Sequence, residues 1–149
     1  MDLDLAPEHE LLRDTVRAFA RERVAPVAEE LDRESRFPTE LVAELAELGL
    51  MGIPVPERYG GGGGDTLGYA LAIEELTRID SSIAITVAAH TSLGTMPILL
   101  FGSDEQRERW LPDLATGTRL AAFGLTEPDA GTDAGATRTT AELLDGGWV

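Results

Sequence analysis

The residues best arranged for chemistry lie in one stretch, Ala122 to Gly135, which reads Ala-Phe-Gly-Leu-Thr-Glu-Pro-Asp-Ala-Gly-Thr-Asp-Ala-Gly. It opens apolar. Leu120 to Leu125 is a short apolar run bounded by turn signals, which favours a buried strand over a helix. Pro128 has no amide hydrogen to give to a sheet ladder, so pairing is expected to end near it. Beyond it, Gly131 permits a positive φ or the close approach of a ligand to the backbone. Thr132 adds a hydroxyl, and the turn adds free backbone N–H groups. Such groups suit the oxygens of a phosphate. They suit equally an ordinary strand-to-turn corner in which Thr and Asp side chains bond their own backbone. The pattern alone leaves both open.

Other chemistry is thin. Glu127 is the carboxylate in the first half of this stretch, and to act as a general base it would need burial or a charged neighbour to raise its pKa. Capping the turn is the plainer role. His9 falls in an acidic, exposed turn, and His90 sits on an apolar helix where a hydrogen-bonded core histidine is expected rather than a ligand. No His-Glu-His spacing supports a metal site, and neither histidine lies in a motif that would support a Ser-His-Asp set. With no cysteine, disulfides, thiolate metal sites and a Cys nucleophile are all excluded. Trp110 and Trp148 are expected in the core or at its rim, and the Arg-rich face of the first helix is expected to be solvated.

The chain has 149 residues, 43% of them hydrophobic, which suffices for a domain with a core. Its formal charge of −15 argues against nucleic-acid binding and for a well-solvated surface. No apolar run is expected to reach the length of a membrane span. The start, Met1-Asp2-Leu3-Asp4, lacks the apolar segment of a signal peptide, which points to the cytoplasm.

The elements that must position the loop are mostly helical. Pro7 suits a first helical turn, and Leu12, Val16 and Phe19 recur at helical spacing up to about Val24. Pro26 ends or kinks that helix, and Val27 and Leu31 continue the apolar period past it. Phe37-Pro38-Thr39 opens the next helix, with Leu41, Leu45 and Leu48 on one stripe and Gly49 as its C-terminal stop. The five glycines Gly60 to Gly64 match either a flexible linker or a surface loop, and the flanking apolar helices favour the loop. Thr66 to Ile79 reads as a helix with Leu67, Leu71 and Leu76 as core candidates. Asp80-Ser81-Ser82 supplies an N-cap for another over about Ile83 to Leu93, apolar nearly all round and so expected to be buried. Met96 to Phe101 adds a short helical piece. Ser103 and Gln106 form a capping-box pattern for a helix to about Leu111, with Pro112 after it and Gly117 at the exit. From there strands are expected, over Arg119–Leu125 and Thr137–Leu144. The turn signal Asp145-Gly146-Gly147 then leads into a second hairpin arm of Trp148 and Val149, too short to bury or pair much. The chain is thus expected to stop inside a β domain.

In order, Phe123-Gly124-Leu125-Thr126-Glu127-Pro128-Asp129-Ala130-Gly131-Thr132-Asp133 closely resembles the flavin-loop signature of the acyl-CoA dehydrogenases. Glu8 to Arg13 with Phe19-Ala20 resembles the family's opening helix. Glu47 to Ile53 with Pro56 to Gly61 resembles its next landmark, and Gly102 to Gln106 with Trp110-Leu111-Pro112 its connection into the β domain. The likeness covers essentially the whole chain and leans to the short-chain, butyryl type.

The resemblance implies a mainly α fold. An N-terminal helical domain would occupy residues 1–117, followed by the start of a middle β domain over 118–149. It implies FAD as cofactor, with Phe123, Leu125 and Thr126 bordering the flavin ring and Gly131 and Thr132 near the pyrophosphate. Matching Ser92-Leu93-Gly94 to the family's helix puts Ile85, Thr86, Ala89 and Leu93 along the acyl pocket, with Thr132 also near the acyl-CoA thioester. Phe123 stands where several relatives carry Tyr, so a hydroxyl contact is lost there. The implied reaction removes an α proton from the acyl-CoA and passes a β hydride to flavin. No catalytic residue is assigned within this stretch, because the family's base, a glutamate, and a second flavin strand lie further along the chain. The resemblance also implies an electron-transfer flavoprotein as acceptor and a homo-oligomer in the full-length form. Two other functions fit the same residues: a truncated, non-catalytic partner subunit of a complete dehydrogenase, and a related acyl-CoA oxidase or nitroalkane oxidase.

Overall fold

The computed structural model describes residues 4–149; Met1-Asp2-Leu3, on which the reading of the acidic start partly rests, lie outside the described residues. Helix α1 runs over Pro7–Phe19 and widens into a π-helical turn at Ala20–Val24 before α2 at Ala28–Glu34. Then come α3 (Thr39–Glu47), α4 (Thr66–Thr77), α5 (Ser81–Ala88), a π-helical stretch at Ala89–Thr95, α6 (Met96–Phe101) and α7 (Asp104–Ala115). The only strands among the described residues are β1 (Leu143–Leu144) and β2 (Gly147–Trp148). The fold is mainly helical, as expected.

The stops and starts follow local chemistry. At the end of α3 the Leu50 amide donates to the Leu45 carbonyl and the Gly49 amide to that of Ala46, with Gly49 at φ +74°. This is the paired C-terminal motif that glycine allows. It swings Leu48 outward, so Leu48 is exposed while Leu41 and Leu45 are buried. Asp65 caps α4 through the Gly68 amide, and Asp80 caps α5 through the Ser82 and Ile83 amides. Ser103 and Gln106 complete the expected capping box on α7. Replacing Ser103 by alanine should cost about 1 kcal/mol, read as a shift in the urea midpoint. Helix α7 does not stop before Pro112 but continues through it to Ala115. Pro112 is exposed, while Leu111, Leu114 and Ala115 are buried on the other side, and that anchoring outweighs one missing backbone hydrogen bond.

The main core joins α1, α3, α4 and α5 through residues such as Val16, Leu45, Met51, Leu76 and Val87. Of the three leucines expected inward on helix α4, Leu76 alone is buried. The buried residues of α4 are Gly68, Ala72, Glu75 and Leu76; Leu67 is exposed and Leu71 only partly covered. Small residues let α1 come close: a Cβ at Gly68 would lie 3.1 Å from a Leu12 methyl. The arginine face of α1 is also not simply solvated. Arg17 grips the buried Glu75 with two hydrogen bonds, of 2.9 and 2.8 Å, and Arg23 grips Glu44 likewise at 2.7 Å each. His9 lies against α4 rather than in an open turn, its Nε2 3.0 Å from Asp65.

From Ser81 to Phe101 the helix is continuous for 21 residues, long and apolar enough by length and composition to cross a membrane. The expectation that no run reaches that length is therefore corrected. Here one side packs into the fold through Ile83, Ala84, Val87, His90, Thr91 and Thr95. The opposite side is open, with Ile85 at 62% and Leu93 at 46% exposure, so the expected all-round burial does not occur. Trp148 is likewise exposed rather than in the core, and Trp110 lies at the rim.

The five glycines form an ordered loop. The amides of Gly62, Gly63 and Gly64 donate to the carbonyls of Gly52, Val55 and Ile53. After Gly117 the expected strands at Arg119–Leu125 and Thr137–Leu144 are not formed, save Leu143–Leu144. Residues 120–125 have no ladder partner among the described residues, and an apolar run without a partner is not a strand. The hairpin at Asp145-Gly146 forms as its turn residues direct, both at positive φ, pairing Leu144 with Gly147 and Leu143 with Trp148.

Candidate flavin and acyl-CoA surface

The loop begins where the chain leaves α7. There Ala121 lies against the π-helical stretch, and a Cβ at Gly94 would fall 2.1 Å from the Ala121 Cβ. Only glycine at position 94 admits this crossing. Beneath the crossing, His90 is 1% exposed. Its Nε2 lies 3.0 Å from the Leu114 carbonyl, and its Nδ1 accepts from the Ala121 amide at 3.0 Å. Burial pushes the imidazole below its ordinary pKa, against the opposing pull of backbone bonds at Leu114 and Met51. His90 is the hydrogen-bonded core histidine the sequence suggested. Beside the crossing is a cavity of about 240 Å³ lined by Gly94, Ile98, Trp110, Leu114, Leu120 and Ala122.

Beyond Ala121 the chain is open. Phe123 is 54% exposed, and Leu125, Thr126, Gly131 and Thr132 are exposed too. Glu127 and Ala130 exchange backbone hydrogen bonds of 2.9 and 3.2 Å around Pro128, closing a tight turn. Gly131 does not take a positive φ, so its value there is space: a Cβ would meet nothing within 4 Å. The amides of Gly131 and Thr132 have no protein acceptor among the described residues. An exposed turn with free amides and a hydroxyl fits the diphosphate oxygens of a dinucleotide.

Glu127 is occupied. Its Oε2 accepts from the Arg138 amide at 2.8 Å and its Oε1 from the Thr139 amide at 3.0 Å. Hydrogen bonding from Thr139 and from these amides holds its carboxyl below the ordinary glutamate value. A base for carbon acids would need the opposite shift. Because the folded pKa is depressed, the tie is complete above the ordinary glutamate pKa and is lost as pH falls through the folded value. The Arg138 and Thr139 amide resonances should therefore shift only in acid, below the ordinary carboxylate range, and should not titrate in a Glu127→Gln protein.

On the helix, Ile85, Ala89 and Leu93 recur at intervals of four and share the open side. Thr86 faces a neighbouring cavity of about 340 Å³ with Phe37, Pro38, Ser82 and Ile83, and its hydroxyl donates to the Ser82 carbonyl at 2.9 Å. Sequence reasoning missed the junction of the two sets, Gly94 against Ala121. A glycine inside an apolar helix was the available signal, since such a residue marks close backbone approach. Among the described residues no group of three His, Asp or Glu side chains could hold a metal.

Residues 6–118 match the family model described as acyl-CoA dehydrogenase, N-terminal domain. The chain is 46% identical over 147 residues to an acyl-CoA dehydrogenase of Bacillus subtilis (strain 168), a match covering 99% of this chain and 39% of that protein. Among solved structures, the butyryl-CoA dehydrogenase of Megasphaera elsdenii aligns with a TM-score of 0.90 at 42% identity, over 97% of this chain and 39% of the other. The acyl-CoA dehydrogenase of Bacillus anthracis, solved in complex with FAD, aligns with a TM-score of 0.83 at 42% identity, over 95% of this chain and 24% of that one. This chain thus spans about two fifths or less of the length of the proteins it matches. On the family model and these identities together, the chain belongs to the acyl-CoA dehydrogenase family.

Proposed function

We propose that this chain is the N-terminal portion of an FAD-dependent acyl-CoA dehydrogenase that oxidises acyl-CoA thioesters to trans-2-enoyl-CoA. The observation that carries the proposal is the open loop at Phe123–Thr132, fixed at its root by Gly94 and Ala121, on a chain so similar to dehydrogenases along its length. Residues 1–117 are the helical domain and 118–149 the start of the β domain. FAD, when bound, supplies the acceptor for the β hydride.

The chain's own residues bind and shape. Phe123, Leu125 and Thr126 give the flavin ring an apolar edge with one hydroxyl, and Gly131 and Thr132 give its diphosphate two amides and a hydroxyl. Ile85, Thr86, Ala89 and Leu93 line the acyl chain, which the open side of the helix would cover. Thr132 also reaches the thioester end. No catalytic base is assigned here. Glu127 is held ionised by its two amides, and a base must lie within hydrogen-bond reach of the α carbon. On its own, this stretch offers only one wall of a divided site, so FAD should bind it weakly and acyl-CoA should not turn over. The whole protein would pass electrons to an electron-transfer flavoprotein and work as a homo-oligomer.

The test is to express the complete reading frame that contains this stretch. The protein should purify yellow and bleach an artificial electron acceptor when butyryl-CoA is added. A Gly131→Val variant should retain its fold, because the added side chain meets open space, but should lose FAD at least tenfold more readily. A colourless protein with no acyl-CoA-dependent bleaching would overturn the proposal. Bleaching that appears only on addition of a complete homologous subunit would instead establish a non-catalytic partner.

A further inference from the structure

We infer that His90 is the positioning residue for the flavin-facing segment: by accepting the Ala121 amide on Nδ1 it ties that segment to the helical domain, two residues ahead of Phe123. The inference rests on the dehydrogenase reading only for what the segment faces; the tie itself is geometric.

Three features converge. Burial and paired backbone bonds fix the imidazole in one protonation form. Nδ1 must accept, because its partner is an amide N–H, so the ring proton sits on Nε2 and is donated to the Leu114 carbonyl. His90 therefore bridges the last turn of α7 and the segment leaving it, from a third element. The π-helical widening at Ala89–Thr95 also carries the backbone from which the ring projects, and hydroxyls within it hold that backbone in place. The Thr95 hydroxyl donates to the His90 carbonyl at 2.9 Å and the Thr91 hydroxyl to the Met51 carbonyl at 3.4 Å. Such widened turns recur where a helix serves a site. Finally, Gly94 clears the space that lets Ala121 come within reach of the ring. Residues 120–125 have no ladder partner among the described residues.

Two near-isosteric variants separate the two bonds. An asparagine amide lies near the position of Nδ1 and a glutamine amide near that of Nε2. His90→Asn can thus keep the Ala121 bond and lose the Leu114 bond, while His90→Gln does the reverse. Hydrogen exchange at the Ala121 amide, followed by NMR, should speed up roughly five- to tenfold in His90→Gln and stay near wild type in His90→Asn. In the complete protein loaded with FAD, the visible flavin band should shift in His90→Gln and return in His90→Asn. A residue serving only to fill the core would not give this rescue. Equal Ala121 exchange in the two variants would overturn the inference. Should neither variant fold, the ¹⁵N spectrum of the wild-type imidazole decides: a proton on Nε2 supports the tie, and a proton on Nδ1 overturns it. Failure of the complete wild-type protein to take up FAD would overturn the dehydrogenase reading, while the exchange contrast still decides the tie.

Discussion

Replacing Leu45 by alanine is expected to lower stability by about 3 kcal/mol, within the range of roughly 2–5 kcal/mol seen when a buried leucine is truncated. Leu45 is fully buried in the cluster formed by Val16, Leu41, Met51, Leu76 and Val87. Its carbonyl also accepts the Leu50 amide that closes α3, so the backbone there has little freedom to collapse into the void. The loss combines transfer of the missing carbons with the cavity left behind. A marginally stable domain has only about 5–15 kcal/mol to lose. Thermal unfolding followed by circular dichroism should show a melting point lower by roughly 10 °C. Leu48→Ala, three residues on, is the control. Leu48 is exposed, so the change should fall within about 0.5 kcal/mol. If the two variants melt alike, the core is wrongly placed.

Gly61→Ala is expected to cost about 2–3 kcal/mol, although position 61 sits in a run of five glycines that resembles a free linker. A Cβ there would lie 2.1 Å from the Val55 carbonyl oxygen and 2.5 Å from the Val55 Cβ. Val55 is fully buried, its carbonyl accepts the Gly63 amide, and the carbonyls of Gly52 and Ile53 nearby accept the amides of Gly62 and Gly64. The obstacle is backbone, which no rotamer change can relieve. Gly124→Ala provides the contrast. Position 124 is without a positive φ, and an added methyl would meet nothing within 4 Å, so stability should hold within about 0.5 kcal/mol. Denaturant midpoints measured side by side would check both. An unchanged midpoint in Gly61→Ala would mean that the glycine run is a linker after all.

The helices, their caps and the family were legible in the order of residues alone. The cap stretch Asp80-Ser81-Ser82, Ser103 with Gln106, and Gly49 act within one helical turn, so their effect is carried by local spacing; the Asp65 cap on α4 was found only in the structure. The Asp145-Gly146 turn is as local, and it formed as its residues indicate. The flavin-loop signature was recognisable because it is long and ordered. The remainder depends on which surfaces meet. Helical spacing put Leu48 on a stripe with Leu41 and Leu45, and Leu67 was a core candidate of α4, but α1 approaches α4 over Gly68 and Ala72, and the end of α3 turns Leu48 away. Arg17 finds Glu75 only because those helices cross, 58 residues apart in sequence. The stretch 119–125 has a strand's composition, yet a strand needs a ladder partner, and composition cannot supply one. His90 gave no local sign of its role either. It became a bridge between Leu114 and Ala121 only when a glycine one turn along let the chain cross within hydrogen-bond reach. Local spacing fixes what a segment can do with its own backbone; which neighbour completes a strand, a charge or an imidazole is set by the packing of distant elements.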